Sequence, residues 1–146
     1  MDSFRREHDP RGARAIKAHV TVAHRATDEI EGRLPAARDL GSFRLGIGQV
    51  VHLGVESGGY GAALKVLDTE HGLERLCEAV GVPMSTLPHI TLLNPRNSAG
   101  RDAQLAALDA AKQLTLPRDF VVHEITLIEE REDVWREIGR FAMGAA

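Results

Sequence analysis

A chain of 146 residues with 21 acidic and 18 basic side chains and a formal net charge of −3 projects no broad positive field. It therefore cannot hold nucleic acid along an extended cationic track, and any such ligand would be a short end or a nucleotide held by a local site. The length suits a single domain over 1–146, large enough to bury about two thirds of its unfolded surface without a metal or disulfide staple.

The first segment, Met1 to Arg14, is charged and turn-rich, with a weak helical start ended by Asp9-Pro10 and Gly12. It is too polar for a secretory leader, and no apolar run is long enough to span a bilayer, so a soluble, cytoplasmic protein without membrane contact is expected. From Ala15 to Ala23 the β-branched Ile16, Val20, Thr21 and Val22 predict a strand. Asp28 to Leu40 predicts a short helix interrupted or restarted at Pro35 and closed by Gly41, and "FRLGIGQVVHLGV" a strand over Phe43–Val55 with a bend or bulge at Gly46 and Gly48. The turn "ESGGYG" and the return strand "AALKVLD" complete a hairpin.

Asp68 or Thr69 can cap the next helix, whose Leu73, Leu76, Cys77 and Val80 recur at helical spacing before Gly81. Cys77, the one cysteine, falls on that apolar stripe and reads as a small core hydrophobe. A strand over Pro88–Leu93 follows, then the loop "NPRNSAG" and a helix from Asp102 to Leu114 with Leu105, Leu108 and Ala111 facing inward. Two closing strands, "DFVVHEITLIEE" and "VWREIGRFAM", meet at a charged turn over Arg131–Asp133, with Trp135 read as core. Interspersed helices and antiparallel strands define an α+β class.

Two strands carry the chemistry. "HVTV" begins at His19 and "HITL" at His89. Residues two apart in a strand share a face, so His19 with Thr21, and His89 with Thr91, each present an imidazole beside a hydroxyl on a stiff support. Two imidazoles whose ordinary pKa lies near 6.5 can supply one neutral base and one protonated acid at neutral pH, as displacement at phosphorus requires. The hydroxyls can donate to oxygens that gain charge in the transition state. The arrangement calls for no metal and no cofactor.

Paired His-x-Thr-apolar motifs of this kind resemble those of the two-histidine (2H) phosphoesterase superfamily, which includes bacterial 2'-5' RNA ligase-like proteins and RNA 2',3'-cyclic phosphodiesterases. The helix after each motif and the closing hairpin "FVVHEITLIEEREDVWREIGRFAMG" extend the likeness from about Phe4 onward. It implies a bilobal fold, two pseudo-symmetric lobes of mostly antiparallel sheet with outer helices and a central cleft where His19, Thr21, His89 and Thr91 meet. The implied activity is hydrolysis of 2',3'-cyclic phosphate, or of related 2',5'-linked ends, on RNA 3' ends or small cyclic nucleotides. Ligation of 2',5' linkages would use the same groups. The chain departs from the pattern in one respect: nothing apolar enough for an opening strand precedes Ile16. Either the true start lies upstream, or a neighbouring segment fills the gap, or the first lobe exposes an edge through which a homodimer could form.

Other residues extend the candidate site. Arg25 shares the parity of His19 and could meet a phosphate at the cleft mouth; Arg96, after the second motif, is a similar case. Tyr60, the one tyrosine, lies in the glycine-flanked "GGYG" and could stack on a base, although 4% aromatic content excludes a platform of several rings. His24 has the wrong parity, and His52 and His123 read as core or edge residues. A zinc site from His19, His52, His89 and His123 lacks the short spacings of such sites. The rival to an enzyme is a catalytically weak nucleotide- or RNA-end-binding module of the same fold.

Overall fold

The computed structural model describes residues 1–24, 27–131 and 134–145. The chain forms two compact units, one of Met1–Val20, Ile47–Val66 and His89–Pro117, the other of Thr21–Gly46, Leu67–Pro88 and Arg118–Ala146. The class is α+β, with a four-stranded antiparallel sheet in the order β3-β2-β1-β4 and a separate two-stranded sheet.

In the first unit the expected helical start is α1, Asp2–His8, which ends at Asp9, but the chain then resumes as a second helix, α2, Pro10–Ala15, where a turn was expected. Asp9 makes the break between them productive. Its carboxylate accepts from the Gly12 N–H at 2.9 Å while Pro10 occupies the first position of α2, where a missing N–H costs nothing. Strand β1 (Phe43–Leu53) runs into this unit, where β2 (Gly61–Leu67) lies between it and β3 (His89–Leu93). Helix α5, Arg101–Lys112, buries Gln104, Ala107, Leu108 and Ala111, a repeat of three, four and seven that lines one face. Leu105, expected inside, is 42% exposed, and Gln104 at 3% takes the inward position. The reason is a hydrogen bond: Gln104 Nε2 donates to the Gly61 carbonyl at 2.8 Å, so the buried amide is compensated. Gly61 itself is required, because a Cβ there would stand 2.6 Å from the Pro95 ring.

The expected strand over Ala15–Ala23 is not formed. Helix α2 extends to Ala15, and only Val20 makes a β-bridge. Side chains have taken the backbone groups a ladder would need. The Ile16 carbonyl accepts from Arg5 Nη1 at 2.8 Å, the Ala18 N–H donates to Asp2 Oδ1 at 3.3 Å, and the Lys17 carbonyl accepts from His19 Nδ1 at 2.8 Å.

The second unit holds the expected helix over Asp28–Leu40 as α3 (Asp28–Arg33) followed by a 3-10 turn, Leu34–Leu40, with Pro35 at the changeover and Gly41 at φ 70° closing it. Helix α4, Gly72–Val80, buries Leu73, Leu76, Cys77 and Val80 as its spacing predicts. Asp68 caps it from four residues upstream, accepting from the N–H groups of Gly72 and Glu74. At its end Val82 N–H bonds the Cys77 carbonyl and Gly81 N–H the Glu78 carbonyl, a Schellman closure that needs the left-handed Gly81. The segment read as one strand after Arg118 divides at His123: β4 (Asp119–Val122) pairs with β1, whereas β5 (Glu124–Arg131) pairs with β6 (Val134–Ala142). The Met143 N–H returns to the His123 carbonyl at 2.9 Å and secures the division. Trp135, read as core, is 36% exposed on this two-stranded ribbon. Most of its expected turn, at 132–133, lies outside the described residues.

Candidate active site

Strand β3 carries the second motif as its sequence alternation predicts. Ile90 and Leu92 are buried on one face, and His89 and Thr91 are half-buried on the other. The register with β2 is fixed: His89 lies opposite Lys65, and Thr91 opposite Ala63. Cross-strand partners share a face, so Lys65 stands on the motif side of the sheet beside His89. Sequence reading missed Lys65, because nothing local in "AALKVLD" reveals which residue of another strand will face it.

The first motif reaches the same strand from the opposite side. Val20 forms an antiparallel bridge with Ile90, the central residue of one motif against the central residue of the other. In antiparallel register this sets His19 level with Thr91. His19 is exposed, and its Nδ1 lies 2.8 Å from the Lys17 carbonyl. A carbonyl can only accept, so Nδ1 carries the hydrogen, and in the neutral ring Nε2 is the basic nitrogen. Thr21, two residues after His19, is half-buried and is the first residue of the second unit. The first unit therefore contains both histidines, where the motif-per-lobe expectation had separated them.

Two buried charges hold these segments, and neither was foreseen. Arg5, 2% exposed, bonds the Ile16 carbonyl three residues before His19. Burial lowers its pKa, opposed by the carboxylates of Asp9 and Asp2, and its Nε is buried with no hydrogen-bond partner among the described residues. Asp9, 1% exposed, accepts from Asn94 N–H at 2.9 Å and from Asn97 Nδ2 at 2.8 Å, which pins the loop leaving β3. The helical pair α1–α2 thus grips the chain just before the first motif and just after the second.

The remaining candidates are more dispersed. Arg96 is exposed in that loop, its N–H donating to Asn94 Oδ1 at 3.0 Å. Arg25 lies outside the described residues. Tyr60, 43% exposed, lines a pocket of about 250 Å³ together with His52, Gly58, Gly59, Arg101 and Gln104. His52 and His123 are both exposed, not core. Among the described residues no three His, Cys, Asp or Glu side chains cluster as metal ligands, and no helix is long and apolar enough to cross a membrane. No protein-family model and no curated protein matches this chain.

Proposed function

We propose that this protein is a metal-independent phosphodiesterase of the 2H phosphoesterase type, opening 2',3'-cyclic phosphates or related 2',5' linkages on RNA 3' ends or small nucleotides. The observation that carries the reading is the Val20–Ile90 bridge, which sets the midpoints of both His-x-Thr motifs side by side. A chance pair of motifs has no reason to meet centre to centre.

In the reaction, water attacks phosphorus in line. One imidazole accepts the proton of that water as the new O–P bond forms, and the other donates a proton to the ribose oxygen as its P–O bond breaks. The product is a phosphomonoester on one ribose hydroxyl with the other hydroxyl free, and the imidazoles exchange protons with solvent to reset. Thr91 and Thr21 donate to the non-bridging oxygens as charge builds there. Tyr60 is the ring available to stack on a base, and Arg25 and Arg96 are the cations available to flanking phosphates.

Turnover of a nucleoside 2',3'-cyclic monophosphate, and of an oligonucleotide ending in one, tests this from about pH 5 to 9, a window around the ordinary histidine pKa. The rate is expected to follow a bell whose limbs belong to the histidine pair and to be unchanged by EDTA. A chelator-sensitive rate would overturn the mechanism. Binding without turnover would leave only the nucleotide-binding module.

A further inference from the structure

Strand β2 lies between β1 and β3, and from Gly61 to Val66 every residue except Lys65 is buried. Lys65 is half-buried, and its ammonium makes no hydrogen bond or ion pair among the described residues. A cation at such a place with no carboxylate beside it is satisfied either by water or by an anionic ligand. Extending the four-carbon stem so that the ammonium reaches water would achieve the first without any ligand. Position argues for more. Lys65 is the direct cross-strand partner of His89, with Cβ atoms of such pairs about 5 Å apart, and Ala63 beside Thr91 presents only a methyl group. The ammonium therefore has reach over the same patch of sheet as the imidazole and hydroxyl.

We infer that Lys65 is the charge-recognising residue of this site, binding the non-bridging oxygens of a phosphate seated over His89 and Thr91. The inference rests on the phosphodiesterase reading and adds to it a discrimination between cyclic substrate and monoester product. A cyclic diester carries one negative charge and a phosphomonoester up to two, so Lys65 makes the phosphomonoester product the tighter ligand.

Calorimetric binding of a nucleoside 2'-monophosphate, its 2',3'-cyclic counterpart and the bare nucleoside to the full chain tests the inference. Lys65→Met, neutral and of similar length, is expected to weaken the monophosphate about 10- to 100-fold, the worth of one charge-assisted hydrogen bond. It should weaken the cyclic ester less and the nucleoside not at all. Lys65→Arg keeps the charge and should restore most of the affinity, and circular dichroism confirms that both variants fold. Equal monophosphate affinity in Lys65→Met and the parent overturns the inference, leaving a lysine that only extends to water. A parent that binds monophosphate through Lys65 but opens no cyclic ester overturns the proposed activity and keeps the anion site. A parent that binds no phosphate overturns both.

Discussion

Burial raises the pKa of the Cys77 thiol, and the nearby Asp68 carboxylate adds to the shift. The thiol is thereby held neutral on the inner face of α4, where it packs as a small apolar group. Because the folded pKa exceeds the unfolded one, the stabilisation is fully present below the unfolded value, near 8.5, and is lost as pH rises through the folded value. Above that lower limit the unfolded chain releases the proton first, and stability falls by up to about 1.4 kcal/mol per pH unit. Urea unfolding of the parent and Cys77→Ala in reductant, from neutral pH to about pH 10, should give curves that diverge above the unfolded thiol pKa, with the parent falling faster. Parallel curves would mean that the thiol titrates equally in both states. A histidine illustrates the same dependence on surroundings: His19 owes its hydrogen-bonded tautomer to the carbonyl of Lys17, two residues away.

At the scale of elements, α1 and α2 act as a bracket for the motif segments, and Asp9 is its most loaded point. One carboxylate accepts from Gly12, Asn94 and Asn97. Asp9→Ala strands buried donors and is expected to cost roughly 3 kcal/mol in denaturant unfolding. Turnover should fall by more than the unfolded fraction explains, since the loop after Thr91 loses its anchor. An unchanged unfolding midpoint would contradict the bracket. These elements also mark what a sequence can disclose. Helix α4 and strand β3 were legible because their apolar periods and flanking turn residues agree with their burial. The first motif was legible as chemistry but not as a strand, since its β-branched residues were outbid for hydrogen bonds by Asp2, Arg5 and His19. Gln104 displaced Leu105 for a comparable reason, a distant carbonyl in need of a donor. Lys65 was invisible because cross-strand register is a property of two segments, not one. Trp135 looked like core, yet its strand pairs with β5 in a ribbon that has two strands among the described residues and leaves it 36% exposed.

For the whole molecule, the edge of β3 away from β2 is met at Ile90 by Val20. The expectation of a homodimer through an open edge therefore carries a consequence. A second chain pairing along this edge would have to displace the His19 segment from β3. If a dimer forms through this edge it opposes the proposed site, and specific activity should then decline as any dimer fraction seen by sedimentation rises with concentration. Equal activity in monomer and dimer would place any pairing surface elsewhere.

The central claim is that two distant His-x-Thr motifs form one proton-transfer site, and a double-mutant cycle on cyclic-phosphate turnover tests it most directly. His19→Ala and His89→Ala should each lower kcat/KM by roughly 10² to 10⁴ fold, and the double variant should be little worse than the poorer single one, because both groups serve one cycle. Losses that multiply, or a single variant that keeps the parental rate, would contradict a shared site.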